Sequence, residues 1–90
     1  MGYFVKRTPK TGDQGVDLIA EKDGDRKAIQ CKFYSKPVGN KAVQEVCAGR
    51  DFYNTDYAVV VTNSFYTKSA KELANKNKVI LLNDNELEKL

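Results

Sequence analysis

Histidine is absent from all 90 residues of the chain. A Ser–His–Asp triad, a histidine general base and a histidine-ligated metal are therefore excluded within it. The two cysteines, Cys31 and Cys47, fall in an expected strand and an expected helix and lack zinc-site spacing, so they read as buried thiols of a reducing compartment. No apolar run approaches the ~20 residues a membrane span needs, and the N-terminus lacks the apolar core of a signal peptide. The expected setting is the cytoplasm. There is no repeat, low-complexity tract or linker, and this length suffices for one core but not two, so residues 1–90 read as a single domain.

Charge is plentiful, at 30% of residues, and unevenly spread. Residues 1–50 carry ten Lys/Arg against six Asp/Glu, whereas residues 51–90 carry five against six. The excess in the first half suits a polyanionic ligand. Lys36, Lys41 and Arg50 are the cations expected to follow a nucleic-acid backbone, each with the alternative of being simply solvated.

That half also holds the stretch GDQGVDLIAEKDGDRKAIQCKF, Gly12–Phe33. Two strand-like arms, Gly15–Glu21 and Arg26–Phe33, flank the turn cluster Lys22–Asp25, and its Asp23–Gly24 pair is a strong hairpin signal. Placing Lys22 opposite Asp25 and counting back sets Asp17 opposite Gln30, where Cβ atoms lie about 4.5–5.5 Å apart. Lys32 follows on the same face, opposite Gly15, which has no side chain to obstruct it. Val16, Leu18 and Ala20 then line the hidden face with Ile29 and Cys31. A carboxylate, an amide carbonyl and an ammonium would converge on one sheet edge.

The remaining elements follow from pattern. Tyr3–Thr8 reads as a first strand, ended by a Pro9–Gly12 turn. After the loop Ser35–Gly39, a helix is expected from about Asn40 to Arg50, with Val43, Val46 and Cys47 as its apolar stripe. Tyr57–Thr62 reads as a strand covered on both faces, and Thr67 as the N-cap of a helix to about Lys76 with Ala70, Leu73 and Ala74 inward. Lys78–Leu82 reads as another fully buried strand, and Asp84 as the cap of a short helix bearing Leu87 and Leu90. A hairpin followed by alternating helices and strands predicts an α/β fold, a mixed sheet flanked by helices.

The converging trio suits metal-assisted phosphodiester hydrolysis, which needs charge neutralisation, an activated water and a positioned phosphate. Asp17 would supply the anionic oxygen that hard Mg²⁺ prefers, with Gln30 and the Cys31 main-chain carbonyl as neutral oxygens. Lys32 would orient or help deprotonate water, or stabilise the phosphorane-like transition state. Asp13 could assist from the loop, or simply hydrogen-bond its own turn, and Gln44 could reach in from the first helix, or lie exposed on it. The trio alone also fits a polar rim on a solvent-facing sheet.

The stretches GVDLIA, IQCKFYSKPVGNKAVQEV and DYAVVVTNSFYTKSAKELA resemble the catalytic domain of Mrr-like type IV restriction endonucleases, within the PD-(D/E)xK nuclease superfamily, from Tyr3 to Leu90. The resemblance implies a restriction-endonuclease-like fold and Mg²⁺-dependent endonucleolytic hydrolysis of DNA, with Mn²⁺ as a substitute ion. It assigns the metal-binding and catalytic positions to Asp17, Gln30 and Lys32, and Gln30 matches a Gln-for-Glu variation within the family. Family members usually begin with a helix that contributes a glutamate, and this chain is expected to lack that helix. Its expected partners are DNA, a separate recognition domain or subunit, and a second copy in a homodimer. Two other functions fit: a non-catalytic DNA-binding or interaction module of the same fold, and a structure-specific nuclease like the Holliday-junction resolvases.

Overall fold

Asp23 and Gly24 both have positive φ, 53° and 87°, the combination of a type I′ turn, whose twist matches that of the strands it joins. In this computed structural model, which describes residues 3–8 and 15–89, the turn links β2 (Leu18–Lys22) to β3 (Asp25–Lys32) in the expected register, Lys22 opposite Asp25 and Leu18 opposite Ile29. β1 (Phe4–Arg7) pairs antiparallel with β2 and forms one exposed edge. The Pro9–Gly12 turn, Asp13 and Leu90 lie outside the described residues.

From β3 onward the chain alternates as expected: α1 (Asn40–Phe52), β4 (Tyr57–Thr62), α2 (Lys68–Asn77), β5 (Val79–Asn83) and a 3-10 helix over Asp84–Lys89. The sheet runs β1-β2-β3-β4-β5, with β3, β4 and β5 mutually parallel. The C-terminal ends of those three strands therefore share one edge. β4, the most apolar strand, takes an interior place, with Ala58–Thr62 all buried.

Pairing carries rows of side chains across the parallel strands: Ala28, Ala58 and Val79; Gln30, Val60 and Leu81; Lys32, Thr62 and Asn83. Ala28, Ala58, Val60 and Val79 pack with Ala42, Val43 and Val46 of α1 and Ala70 and Ala74 of α2, so both helices cover this one face. Ala20, Ile29, Val59, Val61 and Leu82 form a second cluster on the reverse face. Among the described residues no helix is long and apolar enough to cross a membrane.

Within these elements the structure differs from the sequence reading at Val16, β5 and Asp84. Val16 belongs to the helix-side core, whereas Leu18 and Ala20 belong to the reverse side, so strict alternation breaks at Asp17. β5 is an edge strand, which leaves Ile80 37% exposed rather than fully buried. Asp84 sits in the first turn of a 3-10 helix whose start is held by Glu86, accepting from the Asn83 amide at 2.9 Å, and Leu87 is exposed. Thr67 caps α2 as expected, accepting from the Ala70 amide at 3.0 Å.

Candidate active site

Gln30 and Lys32 alternate along β3 toward the helix-covered face, and there they meet a residue of α1. The Gln30 amide nitrogen donates to Glu45 Oε1 at 3.0 Å, and Lys32 Nζ lies 3.2 Å from the same oxygen. One carboxylate thus gathers both side chains. Because Glu45 takes the nitrogen end of the Gln30 amide, the oxygen end must point elsewhere. Gln30 is 5% exposed, and its Oε1 has no hydrogen-bond partner among the described residues. A buried acceptor without a donor is disfavoured by about 1–3 kcal/mol.

Asp17 sits one residue beyond the last ladder pair, in a bend, and is exposed. Its amide donates to Ile29 O at 2.8 Å and its carboxylate accepts from the Cys31 amide at 2.8 Å. It is therefore held at the mouth of the hairpin by the backbone of β3, not by a straight continuation of the strand. In extended backbone the N–H and C=O of one residue point the same way, so the Cys31 carbonyl also turns to the Asp17 side. Asp17 is thus bonded to the backbone of β3 at Ile29 and Cys31, on either side of Gln30, whose side chain turns to Glu45.

Gly15 does not oppose Lys32 as expected. It lies in the bend with φ of 65°, and a Cβ there would come within 2.4 Å of Glu45 Cβ and 2.7 Å of the Glu45 backbone. Its missing side chain makes room for α1. The effect on Lys32 is indirect, through Glu45.

Electrostatically the cluster is a settled ion pair. Burial raises the Glu45 carboxyl, but the bonds from Gln30 and Lys32 outweigh it, and its pKa falls below the usual carboxylate value. Burial lowers Lys32, yet bonds with Tyr34 and Glu45 carry its pKa above the ordinary lysine value. Lys32 is accordingly a cation at neutral pH, with Nζ 5.6 Å from the Tyr34 ring centroid. Burial, with a smaller effect from Asp17, pushes the Cys31 thiol up, which keeps it protonated and inert.

The other expected residues fare differently. Gln44 is exposed on α1, and its neighbour Glu45 faces the site instead. The signal was present: Glu45 is three residues after buried Ala42 and four before buried Gly49, in the inward row of the helix. Arg50 is committed to the fold, its guanidinium donating to Asn77 O at the end of α2, 2.9 Å away. Lys36 and Lys41 are exposed, and Lys41 lies close enough to Glu45 to help lower its pKa.

The whole chain, residues 1–90, matches the restriction endonuclease family model Mrr_cat. No curated protein matches it. Among solved structures it is similar to a protein of unknown function, AF1548, at 26% identity and a TM-score of 0.75, over 98% of this chain and 53% of that one. It is also similar to the DNA modification-dependent restriction endonuclease AspBHI, at 17% identity and a TM-score of 0.66, over 91% of this chain and 23% of that one. The chain thus spans about half of the first relative and under a quarter of the second. With a five-stranded mixed sheet, two helices on one face and Gln30–Cys31–Lys32 at its edge, the chain belongs to the Mrr-like restriction endonuclease catalytic-domain family.

Proposed function

We propose that this domain is a Mg²⁺-dependent DNA endonuclease that hydrolyses phosphodiester bonds at the Asp17–Gln30–Lys32 edge. The observation that carries the reading is the unpartnered Gln30 oxygen, held by Glu45 beside a cationic lysine. Restriction endonucleases as a family use a divalent metal. The donors here fit a hard cation: the Asp17 carboxylate, Gln30 Oε1 and the Cys31 carbonyl are all oxygens. Among the described residues no three His, Cys, Asp or Glu side chains gather as a metal cage. Mg²⁺ keeps several waters and binds through one or two carboxylates together with substrate phosphate. When bound there, the ion would supply Lewis acidity toward the phosphoryl oxygen and a lowered pKa for its water.

The chain's own residues would do the rest. Lys32, charged at neutral pH, would neutralise the charge that builds on the phosphoryl oxygens as water adds to phosphorus and the bond to the deoxyribose oxygen breaks. Glu45 would act as a positioning residue, fixing the Gln30 amide with its oxygen turned away from Glu45 and holding Lys32 at the strand end. One such centre cuts one strand, so a double-strand break would call for a second copy in a symmetric dimer. Choice of target would fall to a separate recognition domain or subunit.

Plasmid nicking in Mg²⁺ or Mn²⁺ tests the reading. The wild type should convert supercoiled to open-circular DNA, and Lys32→Ala should not. DNA binding without cleavage by either protein would instead mark a binding module, and preference for four-way junctions over duplex a structure-specific nuclease.

A further inference from the structure

Two strands along from Lys32, at the same sheet edge, lies a cavity of about 360 Å³. It is lined by Asn63, Ser64 and Phe65 of the loop after β4, Lys71 of α2, Asn83 at the end of β5 and Asn85 of the 3-10 helix. Its size falls within the roughly 300–1,000 Å³ of sites that hold a small molecule. Lys32, Thr62 and Asn83 occupy one row across β3, β4 and β5, so at about 4.8 Å per strand the cavity begins about 10 Å from Lys32.

The connection to the candidate active site is physical. The Thr62 hydroxyl donates to Lys32 O and accepts from the Ser64 amide. The Ser64 hydroxyl donates to Lys36 O at 2.8 Å, and the Asn83 amide donates to Ser64 O at 2.9 Å. Val38 N donates to Phe65 O and Val38 O accepts from Thr67 N. The loop is therefore tied on three sides and holds its shape without a ligand. What it presents is an aromatic ring, Phe65, 76% exposed. Among the described residues, the hydrogen bonds leave the side chains of Asn63, Asn85 and Lys71 uncommitted.

We propose that this cavity is a nucleobase site: it takes one base of the DNA strand whose phosphate lies at Lys32, stacked on Phe65 and hydrogen-bonded along its edge by the asparagines. The chemistry favours a base over a second phosphate. Lys71 and Asp84 both line the cavity, so its lining carries no net positive charge for a phosphate, whereas amides, an ammonium and a carboxylate together match the mixed donors and acceptors of a base edge. Exposed aromatic rings serve as stacking platforms for unpaired bases. A base can enter only by leaving its duplex stack, which is easiest where pairing is already disturbed. The site would therefore favour DNA with a mismatch or single-stranded flank. This inference rests on DNA being the substrate.

The test is fluorescence anisotropy in EDTA, where no cleavage occurs, with short single-stranded oligonucleotides and their abasic sugar-phosphate counterparts. Wild type should bind the base-containing strand about tenfold more tightly than the abasic one, the scale of one base–aromatic stack. It should also change the fluorescence of a 2-aminopurine in the strand. Phe65→Ala should lose both the preference and the signal, and Phe65→Tyr should keep both. Circular dichroism checks that each variant is folded. Equal wild-type affinity for base-containing and abasic strands, or a Phe65→Ala variant that keeps the preference, overturns the base site while leaving the nuclease reading intact. Folded wild type that binds neither strand also overturns the base site, while plasmid nicking in Mg²⁺ decides the nuclease reading separately.

Discussion

Lys32 Nζ and Glu45 Oε1 meet 3.2 Å apart across the seam between β3 and α1, and the same oxygen holds the Gln30 amide at 3.0 Å. The pair couples the two halves of the proposed site. Replacing Glu45 with Gln should free Lys32 and let the Gln30 amide reverse, lowering the nicking rate by roughly 10²-fold, toward the scale of losing one preorganised group. The concentration of Mg²⁺ at half-maximal rate should rise as well. A packing defect alone would lower the melting temperature without moving that concentration.

The pair also sets a pH dependence. Glu45 titrates below its ordinary value of 4.5 in the folded chain. Its contribution to stability is therefore present above that value and lost as pH falls through the folded one. Lys32, raised above 10.5, contributes below that value and loses its effect only as pH rises beyond it. Denaturant midpoints from pH 3 to 7 should fall on acidification, with a shallower fall for Glu45→Gln.

Gln30→Glu places a second carboxylate against Glu45. Without metal this variant should be less stable than wild type, because two like charges share one buried contact. With Mn²⁺ its stability should recover, and calorimetry should find tighter binding than in the wild type. Unchanged or weaker Mn²⁺ affinity would count against Gln30 as a ligand.

Asp17 separates charge from hydrogen bonding. Asp17→Asn can still accept from the Cys31 amide, so stability should change by less than about 1 kcal/mol, while metal-dependent nicking should be lost. Asp17→Ala should lose nicking and also the bond that closes the hairpin mouth, with a lower melting temperature.

Gly15→Ala acts without touching any polar group of the site. A methyl group would press within 2.7 Å of the α1 backbone at Glu45, on a backbone with φ of 65°. Overpacking of this kind costs about 1–3 kcal/mol, and the displaced Glu45 should lower nicking as well. A folded, fully active Gly15→Ala protein would mean that α1 adjusts freely.

Much of this was legible in the sequence, for physical reasons. The Asp23–Gly24 turn fixed the β2–β3 register through the φ > 0 it requires, and the apolar run Tyr57–Thr62 marked the interior strand. The break in alternation at Asp17 was not legible, because it depends on the carboxylate replacing a ladder partner for Cys31. Glu45 was passed over for Gln44, although its helical row, between Ala42 and Gly49, pointed inward. Counting strand positions put Gln30 and Lys32 on one face of β3, but only packing of α1 against Gly15 reveals that one carboxylate joins them. Arg50 looked like a free cation because nothing local in the sequence signals its bond to Asn77 O, 27 residues away.

The central claim is that Lys32 and a divalent cation together cut DNA at this edge. The most direct measurement is the initial rate of supercoiled plasmid nicking by purified wild type and Lys32→Ala, each in Mg²⁺ and in EDTA. The account predicts nicking by the wild type in Mg²⁺ alone, with Lys32→Ala lower by at least about 10²-fold. Equal rates for the two proteins, or nicking that persists in EDTA, would contradict it.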